Sequence, residues 1–198
     1  KKIDLIYVSS FQILKNENKN IDSMYKFIRR NEMILMKNLL FVKKNKNINL
    51  RILMKNKIND KDFFEEFSYL KKYFSEKEII IKINDKDSYE HIESSIITIS
   101  LVSALGLEAL SLNTKVLLGF STFNTNHKIK DWPSLKYYCK YLKPEISLNN
   151  LNEKHLLNKI NVLKNMNSKD YIKLTDNSRK FYSEPPTIKK FMKKIYEN

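Results

Sequence analysis

Three residue types in the stretch SALGLEALSL, residues 103–112, are spaced to hold an anion next to a sugar. A helix starting near Ser103 leaves its first backbone N–H groups without acceptors, and those groups favour negative charge. Ser103 can cap that helix. Gly106 has no side chain, so a phosphate or a neighbouring strand can come close. Glu108 lies a little over one turn in. A carboxylate there repels phosphate, but it accepts hydrogen bonds from a sugar diol. Together these parts suit a nucleotide, with diphosphate on the helix amides and ribose on the carboxylate. A second reading stays open, in which Gly106 permits tight helix–sheet packing and Glu108 is only solvated.

The chain's other glycine, Gly119, closes the next apolar run, so both of its glycines fall within residues 99–121. The elements that must position this stretch follow from apolar patterning. Residues 3–10, 49–55, 78–83, 95–100 and 114–120 are short apolar runs, expected as strands, and 144–148 is expected as a short sixth. Residues 21–44 and 60–74 carry apolar residues at helical spacing, the first with Ile28, Ile34, Leu35, Leu39 and Val42 on one face. In the second, Phe63, Phe64, Phe67, Leu70 and Phe74 form the expected buried stripe, and Asp60 or Asp62 the cap. Residues 85–94 and 103–112 are expected as shorter helices, Pro133 as the start of another, and the chain beyond 152 as helices broken near Asn167 and at Pro185.

Alternating strands and helices imply an α/β class: a Rossmann-like three-layer domain with a mostly parallel sheet of about six strands, followed by C-terminal helices. The division is residues 1–165 for that domain and 166–198 for helices packing on it or on a missing N-terminal domain. Such sheets bind ligands outside the carboxyl ends of their strands, where the winding reverses, between strands one and four in the usual order.

Composition narrows the classes. The chain has 198 residues, 42% hydrophobic and 12% aromatic, enough for a packed core. Its single cysteine, Cys139, allows no internal disulfide. No apolar run approaches the roughly 20 residues that cross a bilayer. A cytoplasmic location, or one peripheral to the inner membrane face, is the expectation. Lys and Arg exceed Asp and Glu by 37 to 22, a net charge of +15. That charge suits an anionic partner. It also suits A+T-rich coding, since Lys, Asn and Ile are abundant together and the lysines are scattered. The absence of an initiator Met points to a fragment of a longer chain. His91, His127 and His155 lack metal-ligand spacing, so no metal and no cofactor is expected. Two glycines cannot build a Walker loop or a nucleophile elbow.

SALGLEALSLNTKVLLG resembles the nucleotide-binding segment of GT-B glycosyltransferases, whose C-terminal domain carries a Ser-Thr-x-Gly-x-Glu-Ala-Leu pattern. Ser103, Gly106, Glu108, Ala109 and Leu110 match; Ala104 loses a hydroxyl, and Lys115 stands where proline is frequent. YVSS before a long helix is similar to bacterial surface-polysaccharide or capsule transferases. The resemblance implies that Glu108 binds the ribose hydroxyls and that Ser103, Ala104 and Leu105 present amides to the diphosphate. It places Ser9 and Ser10 on the phosphate side. Placement alone adds Lys55, as a phosphate partner or a plain surface lysine, and Ile83 and Asn84, as backbone contacts to the base.

The implied function is transfer of a sugar from a nucleotide-sugar donor to a glycan or lipid-linked acceptor. No catalytic base is identifiable in the sequence, and the resemblance implies that it belongs to a missing N-terminal domain. UDP-sugar 2-epimerases share this half-domain, which leaves an enzyme alternative. A basic nucleic-acid-binding module and a non-catalytic interaction domain are the alternatives of another class. The polar loop 121–133 can close over a ligand or merely connect. The basic last helix, 187–198, can lie on a membrane surface or on protein, and protein is the favoured reading.

Overall fold

Short runs rich in apolar residues become the strands of one sheet. The computed structural model describes residues 3–11, 19–112, 114–119 and 140–182. In it β1 (Ile3–Val8), β2 (Leu50–Lys57), β3 (Ile79–Lys82), β4 (Ser95–Ser100) and β5 (Lys115–Leu118) pair in parallel throughout. Their order is β3-β2-β1-β4-β5. The winding therefore reverses between β1 and β4, and the Rossmann-like α/β class is what the chain adopts. Leu5 to Val8 of β1 and Ile97 to Ser100 of β4 are 2% exposed or less, so this central pair is covered on both faces.

The expected sixth strand is a correction. Residues 144–148 form a 3-10 turn, Pro144–Ile146, and touch β5 through one parallel bridge, Leu118 to Ser147. Pro144 supplies no N–H for a ladder and opens a turn instead.

Six helices are described: α1 (Lys19–Lys46), α2 (Phe63–Leu70), α3 (Asp85–Glu93), α4 (Ala104–Glu108), α5 (Glu153–Asn165) and α6 (Ser168–Tyr182). None is long and apolar enough to cross a membrane. α1 buries Ile28, Leu35, Met36, Leu39 and Val42. Ile34 does not join them, being 40% exposed, and Glu32 takes a place in the buried phase. α2 makes the same exchange: Phe64 is 73% exposed while Glu66 is buried. Asp62 stands at the N-cap of α2 without a capping bond, and Asp60 instead accepts the Lys57 amide at 2.7 Å.

α6 covers the outer edge of β5. The Tyr171 hydroxyl accepts the Val116 N–H at 3.0 Å, satisfying an amide that no strand among the described residues reaches. α6 thus packs on the edge of the sheet. Lys115 finds a use here too. Its Nζ donates to the carbonyls of Leu163 at 2.6 Å and of Met166, capping α5 with positive charge. The expected helix from Pro133 and Cys139, the loop 121–133 and the last helix lie outside the described residues.

Candidate functional site

β4 ends at Ser100, and the chain must turn at once to begin α4. Two close approaches allow this. A Cβ on Gly106 would stand 2.5 Å from Ser100 Cβ, and one on Gly119 would stand 2.6 Å from Leu101 Cδ2 and 3.0 Å from Leu101 Cα. Each glycine therefore accommodates one of two consecutive residues where β4 leaves the sheet. Of the two openings left for Gly106, the neighbouring strand fills it. Gly106 is buried against the ends of β4 and β5, and acts by seating α4 there.

Ser103 holds the extended N-cap conformation, φ −143° and ψ 135°, but its hydroxyl makes no capping bond. Its carbonyl accepts the N–H groups of Gly106 at 3.1 Å and Leu107 at 3.4 Å. The amides of Ala104 and Leu105 precede these, so they have no acceptor within the helix. They sit at the carboxyl end of β4, beside the switch point.

The exit of β1 frames the other side. Ser9 and Ser10 are each 1% exposed, so their hydroxyls are turned into the protein. Ser10 Oγ accepts the Val102 N–H at 3.3 Å, tying β1 to the lead-in of α4. Ser9 Oγ accepts the Phe11 N–H at 3.2 Å and donates to Glu32 Oε1 at 3.4 Å. The same oxygen accepts the Tyr7 O–H at 2.7 Å and the Ser10 N–H at 2.7 Å. Glu32 Oε2 is buried and has no hydrogen-bond partner among the described residues. Burial pushes the Glu32 carboxyl up to about 7, against the pull of its three donors and with the charge of Glu66 adding to the rise. Burial, then the charge of Glu32, pushes the Tyr7 phenol well up, so it remains a donor.

The remaining expected residues divide. Lys55 is brought close: its Nζ donates to Phe11 O at 3.2 Å, across the exit of β1. Asn84 is not, because β3 is an edge strand and β2 and β1 lie between it and β4. The amides of Ile83 and Asn84 are spent on the Asp87 carboxylate, at 2.7 and 3.0 Å, which hold it below the usual range. Glu108 accepts a hydrogen bond from Tyr89 O–H of α3 at 2.7 Å, which occupies one carboxylate oxygen. Tyr89, Glu32 and Glu66 were not visible as site residues in the sequence. For the two glutamates a signal existed, since 32 and 66 fall in phase with the apolar stripes of their helices.

Comparison with known proteins adds a family. Residues 3–194 match the model of a family described as "putative O-antigen biosynthesis protein". The chain belongs to this family. With membership in the O-antigen biosynthesis family comes a role related to polysaccharide biosynthesis. No curated protein matches the chain. Among solved structures it is similar to a "putative UDP-N-acetylglucosamine 2-epimerase" from Listeria monocytogenes, at 11% identity and a TM-score of 0.49 over 92% of this chain. The chain spans 41% of that protein's length. The fold class of the O-antigen family chain rests on its strand order, not on that likeness.

Proposed function

We propose that this chain is the nucleotide-sugar-binding domain of a GT-B glycosyltransferase in surface polysaccharide synthesis. The observation that carries the reading is the position of Ser103–Glu108: it leaves β4 at the switch point, with the Ala104 and Leu105 amides leading and Glu108 one turn behind. The amides hold the diphosphate, and Lys55 adds positive charge from the side of β1. Glu108 takes the ribose hydroxyls through the oxygen that Tyr89 leaves. Fixed N–H dipoles stabilise charge that builds on the leaving diphosphate. The acceptor, a glycan or lipid-linked sugar, and the catalytic base come from a second domain, because transfer needs both substrates held in line. The nucleotide-sugar is a substrate here, and no further cofactor is invoked.

The test is calorimetric titration of UDP, CMP, CDP and GDP into the purified chain, with Glu108→Ala beside it. Saturable binding of one nucleotide, weakened at least about fivefold by the substitution, is the expected outcome; that factor corresponds to about 1 kcal/mol, a typical hydrogen-bond contribution. Absence of binding by a folded chain would count against the donor-site reading.

A further inference from the structure

We infer that Glu32 is a positioning residue of the β1–β4 crevice, and that it takes up a proton when a diphosphate seats on the Ala104 and Leu105 amides. This rests on the nucleotide-sugar reading of the crevice. The geometry supplies the link. Glu32 Oε1 gathers the donors at the exit of β1, Ser10 among them, and Ser10 Oγ in turn holds the Val102 amide. Val102 stands two residues ahead of Ala104. The carboxyl and the anion-facing end of α4 are therefore joined by two hydrogen bonds and a short run of backbone.

The oxygen that is bare among the described residues, Oε2, is where the proton goes. Protonated there, Glu32 keeps its acceptor Oε1 for Tyr7 and Ser10 and loses its charge. That charge is buried, and a diphosphate brought to the same crevice repels it through a medium that screens poorly. The groups around it set the balance. Tyr7 faces Glu32 from β1, and Glu66 and Tyr69 from α2, with the charge of Glu66 also opposing ionisation. Arg29, one turn earlier on α1, lies over the Phe11 and Tyr69 rings at 5.3 and 4.7 Å from their centroids. Lys55 is held at Phe11 O. With its midpoint already at about 7, the carboxyl needs little added repulsion to change state near neutral pH.

The experiment is calorimetry of UDP-N-acetylglucosamine, GDP-mannose and CMP-N-acetylneuraminate in buffers of differing ionisation enthalpy. The phosphates of these donors are diesters and do not titrate near neutrality. Proton uptake at about pH 7.5 is expected for the donor that binds, with affinity falling about threefold or more between about pH 6.5 and 8.5. Glu32→Gln should bind with neither uptake nor slope. Tyr7→Phe removes a donor from the carboxylate, so it moves the uptake to higher pH, and it serves if Glu32→Gln does not fold. Binding without uptake by the unaltered chain overturns the inference alone, as does uptake that survives in Glu32→Gln. Failure of all three donors to bind overturns the nucleotide-sugar reading, and the inference with it.

Discussion

The carboxyl ends of β1 and β2 are each met by a buried glutamate from the helix that follows, and the two carboxylates are satisfied differently. Glu66 uses both oxygens: Oε1 accepts the Lys55 N–H, and Oε2 accepts the Asn56 N–H and its side-chain amide, all at 2.8 Å. These amides belong to the irregular stretch of β2, where the register with β3 shifts between Leu53 and Lys57. Such a stretch leaves backbone donors without ladder partners, and the carboxylate supplies the acceptor. Glu32 instead collects every donor on one oxygen. A complete set of donors makes a buried carboxylate a staple of the fold. An incomplete set leaves a group that can change its protonation beside the crevice.

The largest effect that would sharpen this contrast belongs to Glu66. Glu66→Ala leaves the Lys55 and Asn56 amides without their acceptor and opens a cavity. The expected loss is about 3 kcal/mol in chemical denaturation. A loss well under about 1 kcal/mol would mean that water replaces the carboxylate without cost, and the staple reading would fall. Glu32 is expected to show a smaller effect that depends on pH. Its folded value of about 7 lies above the unfolded carboxylate value, so the fold favours the protonated form. The stabilisation is fully present below the unfolded pKa and is lost as pH rises through about 7. Between about pH 5 and 8, the stability of the unaltered chain relative to Glu32→Gln should therefore fall by about 2–3 kcal/mol. A difference that stays flat across that range would make Glu32 as static as a fully bonded carboxylate.

Much of the fold was legible in the residues. Short runs rich in Ile, Leu and Val located all five strands, and the usual strand order of such domains put the reversal between β1 and β4. The faces of the helices were less legible. Apolar periodicity treats a carboxylate as a break, so Glu32 and Glu66 were read out of their stripes, and Ile34 and Phe64 were read in. What rescues the glutamates is backbone amides at strand ends, which no local pattern reveals. For Ser9 and Ser10, the end of an apolar run gave the place at the exit of β1, but only the packed structure shows that their hydroxyls turn inward. Asn84 was drawn toward the site by analogy with other strand ends, and the sheet order sets it at the edge. The unusual placement of Gly106 and Gly119 was plain, yet a close approach looks the same in sequence whether strand or phosphate makes it.

The proposed nucleotide site lies between the ends of β1 and β4, and an amide-resolved NMR titration of the chain with the nucleotide that binds is its sharpest test. The largest shifts are expected on Ser10, Val102, Ala104 and Leu105, with a smaller set around Glu108 and Tyr89. Shifts that gather instead in the groove of about 730 Å³ lined by Asn31, Asn38 and Asn149–Asn152, while the Ala104 and Leu105 amides stay still, would contradict it.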